Sequence, residues 1–76
     1  MAELVEFLAR SLVDDPGAVR VEREERDDAL VLHLHVAEGD VGKVIGRQGR
    51  IARALRTVVR AGGAHEDRRI VLEIAG

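Results

Sequence analysis

Gly46 and Gly49 bracket Arg47 and Gln48; Lys43 stands three residues ahead, and Arg50, Arg53, Arg56 and Arg60 follow at steps of three or four. A residue without a Cβ takes positive φ readily and lets another chain approach its backbone. The first N–H groups of a helix have no acceptor within it, and the helix dipole adds positive potential there. Glycines, cations and a helix start in one stretch therefore suit an anion. A phosphate passing over Gly46 to Gly49 would meet N–H donors at short range, with Arg47 and Arg50 beside them. Val44 and Ile45, just ahead, can offer an apolar floor to bases. Three devices could use such a stretch: a plain turn between helices, a cradle for a nucleotide phosphate, or a clamp for a nucleic-acid backbone.

The nucleotide cradles fail on spacing. A P-loop needs Lys and then Ser or Thr directly after its second glycine, whereas Gly49 is followed by Arg50 and Ile51. A dinucleotide G-x-G-x-x-G fails too, because Gly42 and Gly46 are four apart. A plain turn accounts for the two glycines. It leaves unexplained why Arg and Gln lie between them and why arginines continue behind.

Charge favours the clamp. The net charge is -2, which by itself argues against a nucleic-acid partner. Yet residues 41–64 hold six of the twelve cations and none of the fourteen acids. An acidic body thus carries one directed basic segment. Taking the segment after Gly49 as a helix, Arg50, Arg53, Arg56 and Arg60 fall within about 120° of arc at 100° per residue. Ile51, Leu55, Val58 and Val59 form the opposing apolar stripe. The only aromatic is Phe7, expected in the core of an amphipathic helix, so base stacking on aromatic platforms is disfavoured.

The elements that must position this loop can be read along the chain. Residues 2 to 13 have helical spacing in Leu4, Val5, Leu8, Leu12 and Val13, with Glu6 four before Arg10. The run DDPG at 14–17 stops that helix. A strand is expected over about 18–25, then a turn at Arg26 to Asp28. The run ALVLHLHVA follows as a central strand, with Leu30, Leu32, Leu34 and Val36 on one face and Val31, His33 and His35 on the other. Asp40 is placed to cap a short helix from Val41 to Ile45. A second helix runs from Arg50 to about Ala61 and stops at Gly62-Gly63. RIVLEIA at 69–75 is a last strand. A strand-helix-helix-strand crossover makes the second and third strands parallel. The expected fold is a single two-layer α+β domain over 1–76, in the order α-β-β-α-α-β, with helices on one face of a three-stranded sheet.

In this setting VIGRQG at 44–49 resembles the [IV]-I-G-x-x-G signature of K-homology (KH) RNA-binding domains. The helix and strand ahead of the crossover match the type II arrangement, and over its whole length the chain is similar to the small stand-alone bacterial KH proteins of the KhpA (YlqC-like) family. The resemblance implies a non-catalytic protein with a groove for about four single-stranded nucleotides. It implies Gly46, Arg47, Gln48 and Gly49 as the clamp, Val44 and Ile45 as groove wall, and residues 63–68 as the other rim. Lys43, Arg50 and Arg53 stand beside these as candidate phosphate contacts. Where many KH domains have Ile or Val three residues after the second glycine, this chain has Ala52. The resemblance further implies self-association, or pairing with a larger Jag-type KH protein.

Other chemistry finds little support. His33 and His35 point the same way from one strand, but only His65 remains to complete a metal site. No metal and no cofactor are expected. The acids from Glu22 to Asp28 read as a solvated hairpin end, and Ser11, the only serine, has no partners for nucleophilic catalysis. There is no cysteine. The acid-containing start is unlike a signal peptide, and the longest near-apolar run, 29–37, is too short to span a bilayer. A cytoplasmic location without membrane attachment is expected. The alternative to RNA binding is a protein-interaction module working through dimerisation, its surface the open sheet face with Val31, His33, His35 and Val71. Gly42 is expected to let the short helix pack closely.

Overall fold

The computed structural model describes residues 1–62 and 69–75. The expected rim segment 63–68, the Gly63 half of the helix stop and His65 lie outside the described residues. Helix α1 spans Ala2–Leu12, and strands β1 and β2 span Arg20–Glu25 and Ala29–His35. Helices α2 and α3 span Val41–Ile45 and Arg50–Gly62, and β3 spans Arg69–Ala75. Short 3₁₀ turns cover Pro16–Ala18, Glu38–Asp40 and Arg47–Gly49. The first of these takes residue 18, so β1 starts two residues later than the sequence suggests.

The sheet order is β1-β2-β3, with β1 antiparallel to β2 and β2 parallel to β3. The hairpin closes through Arg26 N–H to Ala29 O at 2.8 Å, with Asp27 and Asp28 between them. Leu30, Leu32 and Leu34 are fully buried and pack with Val5 and Ala9 of α1, Val44 of α2, Leu55 and Val59 of α3, and Leu72 of β3. All three helices therefore lie against one sheet face, as the alternation in β2 requires.

Two local expectations change. Asp40 makes no capping bond to α2. Its buried carboxylate instead accepts the Asp14 N–H at 3.3 Å and the Asp15 N–H at 3.1 Å. Those two donors follow the end of α1 and need an acceptor, so one acid joins the first turn of the chain to the entry of α2. Phe7 is not core but 66% exposed. Val5 and Ala9, one helical turn apart, define the buried face of α1, and Phe7 sits about 200° from each. Leu4 and Leu12 are also partly exposed, at 42% and 36%.

The open sheet face also differs from its expected role. Val31 is 1% exposed and offers little to a partner. His33 bridges the strands on either side, with Nε2 2.8 Å from Glu24 of β1 and Nδ1 3.5 Å from Glu73 of β3. His35 Nε2 lies 3.7 Å from Glu22. Among the described residues, no helix is long and apolar enough to cross a membrane, and no acids and histidines cluster as metal ligands.

Candidate nucleic-acid interface

The loop after α2 takes its shape from three residues with positive φ: Gly46 at 77°, Gln48 at 58° and Gly49 at 73°. Two positions are glycine, which adopts this region without strain. Gln48 is the exception, and a non-glycine residue there is uncommon. The backbone closes through Gly46 N–H to Gly42 O at 2.9 Å and Gly49 N–H to Gly46 O at 3.1 Å. Arg50 donates to the Gln48 side-chain oxygen at 3.4 Å, tying the loop tip to the first residue of α3.

The two glycines do different work. A Cβ on Gly46 would meet three side-chain atoms of Ile51 at 2.7 to 3.0 Å, whereas a Cβ on Gly49 would meet nothing within 4 Å. Gly46 is needed for the domain's own packing. Gly49 faces free space, where another backbone can come close. Gly42 also meets nothing within 4 Å. Among the described residues nothing supports its expected packing role.

The candidate cations separate in the same way. Lys43 turns back to the Asp14 and Asp40 carboxylates, at 3.3 and 3.8 Å. Arg47 and Arg53 are exposed and make no hydrogen bond or ion pair from their side chains with any described residue. Among the described residues Arg50 is held only by the neutral Gln48 oxygen. Positive charge without a carboxylate partner is what a phosphate needs. Ile45 is 37% exposed beside the loop, while Val44 is fully buried, so Ile45 alone of the pair presents a free apolar surface.

The sequence did not reveal a cleft of about 310 Å³ between α3 and β3. It is lined by three arginines, Arg56, Arg60 and Arg69, and by Val59, Ile70, Val71 and Leu72. Arg56 Nε reaches the Leu72 carbonyl at 3.5 Å. Arg56 and Arg60 lie one helical turn apart, which was a usable signal. What hid the cleft was that Arg69 joins them only because β3 returns alongside α3. The loop and this cleft together give α3 an arginine flank ending at an edge strand.

A family model described as the KH domain of KhpA and KhpB matches residues 2–74. A protein of Clostridium perfringens named RNA-binding protein KhpA is 50% identical over 74 residues, covering 97% of this chain and 99% of the relative. Proteins of the same name from Clostridium acetobutylicum and Aquifex aeolicus are 49% and 47% identical, each over 97% of this chain and over 99% and 94% of the relative. No solved structure matches.

Proposed function

The chain belongs to the KhpA/KhpB KH-domain family, and from that premise we propose that it is a non-catalytic binder of short single-stranded RNA. The backbone lies over Gly49, with Arg47, Gln48, Arg50 and Arg53 around the phosphates. Bases lie across Ile45 toward the α3–β3 cleft, where Arg56, Arg60 and Arg69 extend the positive track. Lys43 and Val44 support the loop from behind, and Gly46 holds its shape. The observation that carries this reading is the contrast at Gly49: free space above a positive-φ glycine, flanked by arginines that have no acidic partner among the described residues.

Few phosphates are engaged, so affinity is modest and sequence preference low. For two or three contacts on a single strand, log K falls against log salt with a slope of about -1.5 to -2. The cellular role that fits is a cytoplasmic post-transcriptional regulator or RNA chaperone-like factor. Weak single-domain affinity gains from pairing, with a second copy or with a larger Jag-type KH protein, because linked sites bind with avidity.

The test replaces Arg47 and Gln48 by Asp together and follows binding of a labelled short RNA. Binding is expected to vanish while the circular dichroism is unchanged. Retained binding would show that the clamp lies elsewhere.

A further inference from the structure

Asp40 is a buried carboxylate, 4% exposed, at the entry of α2. A charge out of water is costly unless it is well bonded. Asp40 meets that cost with the N–H groups of Asp14 and Asp15, at 3.3 and 3.1 Å, and makes no bond to the helix it precedes. Hydrogen bonds to a charged acceptor are stronger than neutral ones, so the grip on the end of α1 is firm.

Helix α2 has only five residues, Val41–Ile45. A helix this short cannot hold its own place, because most of its backbone groups have no partner within it. Its position depends on what grips it: Val44 in the core, and Asp40 at its start. Lys43 reaches the Asp14 carboxylate at 3.3 Å, but both side chains meet solvent and such a pair contributes little. Directly after α2 comes Gly46, where the fit has no slack. Its N–H returns to Gly42 O at 2.9 Å, and a Cβ on it would run into Ile51. A shift at the start of α2 is therefore passed on to the loop.

We propose that Asp40 is a positioning residue for the RNA clamp. By binding the two N–H groups that follow α1 it fixes the start of α2, and through α2 the place of Gly46 to Gly49 and the aim of Arg47. This rests on the clamp reading above. Charge alone gives the opposite sign. Removing an acid one short helix away from the loop would raise the positive potential there and release Lys43, so RNA would bind more tightly. Loss of positioning makes it bind more weakly.

The experiment measures anisotropy of a labelled short RNA with the native chain, Asp40→Ala, Asp40→Asn and Val5→Ala, in buffer where circular dichroism shows each folded. Val5 is buried on α1 two turns before its end, so its truncation lowers the urea midpoint without touching the start of α2. Asp40→Ala is expected to weaken binding about fivefold or more, and Asp40→Asn, which keeps one oxygen, about twofold. Val5→Ala should leave affinity unchanged. Unchanged or tighter binding in Asp40→Ala would overturn the proposal, as would an equal loss in Val5→Ala. If Asp40→Ala does not fold, Asp40→Asn decides: native or tighter affinity in it overturns the proposal. The Arg47 and Gln48 double variant is run alongside. Binding retained there would remove the clamp itself, and with it anything for Asp40 to position.

Discussion

A Cβ placed on Gly46 would lie 2.7 Å from Cγ1 of Ile51, so the first glycine of the loop packs directly against the first turn of α3. Gly46→Ala meets both this clash and an unfavourable positive φ. It should lower unfolding stability by about 2–4 kcal/mol. Gly49→Ala meets only the backbone strain, about 1 kcal/mol, but places a methyl group where RNA approaches. Urea denaturation and RNA titration of the two variants should therefore rank them oppositely, Gly46→Ala worse for stability and Gly49→Ala worse for binding per unit of stability lost.

Arginine and lysine variants should separate as their partners do. Arg47→Ala removes a cation free for phosphate and should reduce the magnitude of the salt slope by about 0.7. Lys43→Ala removes a cation already facing Asp14 and Asp40. It should leave RNA affinity within about twofold and the slope unchanged, because the lost charge was not available to phosphate. Fluorescence anisotropy at several salt concentrations distinguishes the two.

Asp40→Ala leaves the Asp14 and Asp15 N–H groups without their acceptor. A loss of about 2–3 kcal/mol is expected, since bonds to a charged group are the stronger kind and stranded donors are costly. Asp40→Asn keeps one oxygen and should lose less. Chemical denaturation of the three proteins checks the order.

Acid should weaken the open sheet face in a defined window. Arg26, hydrogen-bonded to Glu24, and then His33 hold the Glu24 carboxyl down from 4.5 to about 2. A folded-state value below the unfolded one gives stability that is complete above 4.5 and is lost as pH falls through about 2. The urea midpoint of the native chain should therefore exceed that of Glu24→Gln near neutral pH. The difference should shrink as pH falls from 4.5 toward 2 and should not reopen below it. A constant difference across that range would show that Glu24 contributes through something other than its charge.

The α3–β3 cleft gives a further test. Arg60→Ala and Arg69→Ala should each weaken binding of a four-nucleotide RNA severalfold, and should matter less for a dinucleotide that reaches only the loop. Equal losses for both lengths would remove the cleft from the RNA path.

Local sequence determined a large share of this protein. The period-two run from Leu30 to Val36 made β2 a central strand, and the glycines at 46 and 49 broke α2 from α3, because backbone preference and side-chain alternation act over a few residues. The arginine flank of α3 followed from helical spacing alone. Contacts between distant segments were a different matter. Asp40 looked like a helix cap, since capping is a local pattern, yet its partners lie 25 and 26 residues away. Phe7 looked like core because the wide apolar arc of α1 does not say which part of it the sheet will cover. The distinct duties of Gly46 and Gly49, the engagement of Lys43 and the meeting of Arg69 with Arg56 and Arg60 were likewise decided only when the chain closed on itself. Propensity specifies how a segment folds; which of its side chains then find a neighbour depends on the other segments packed against it.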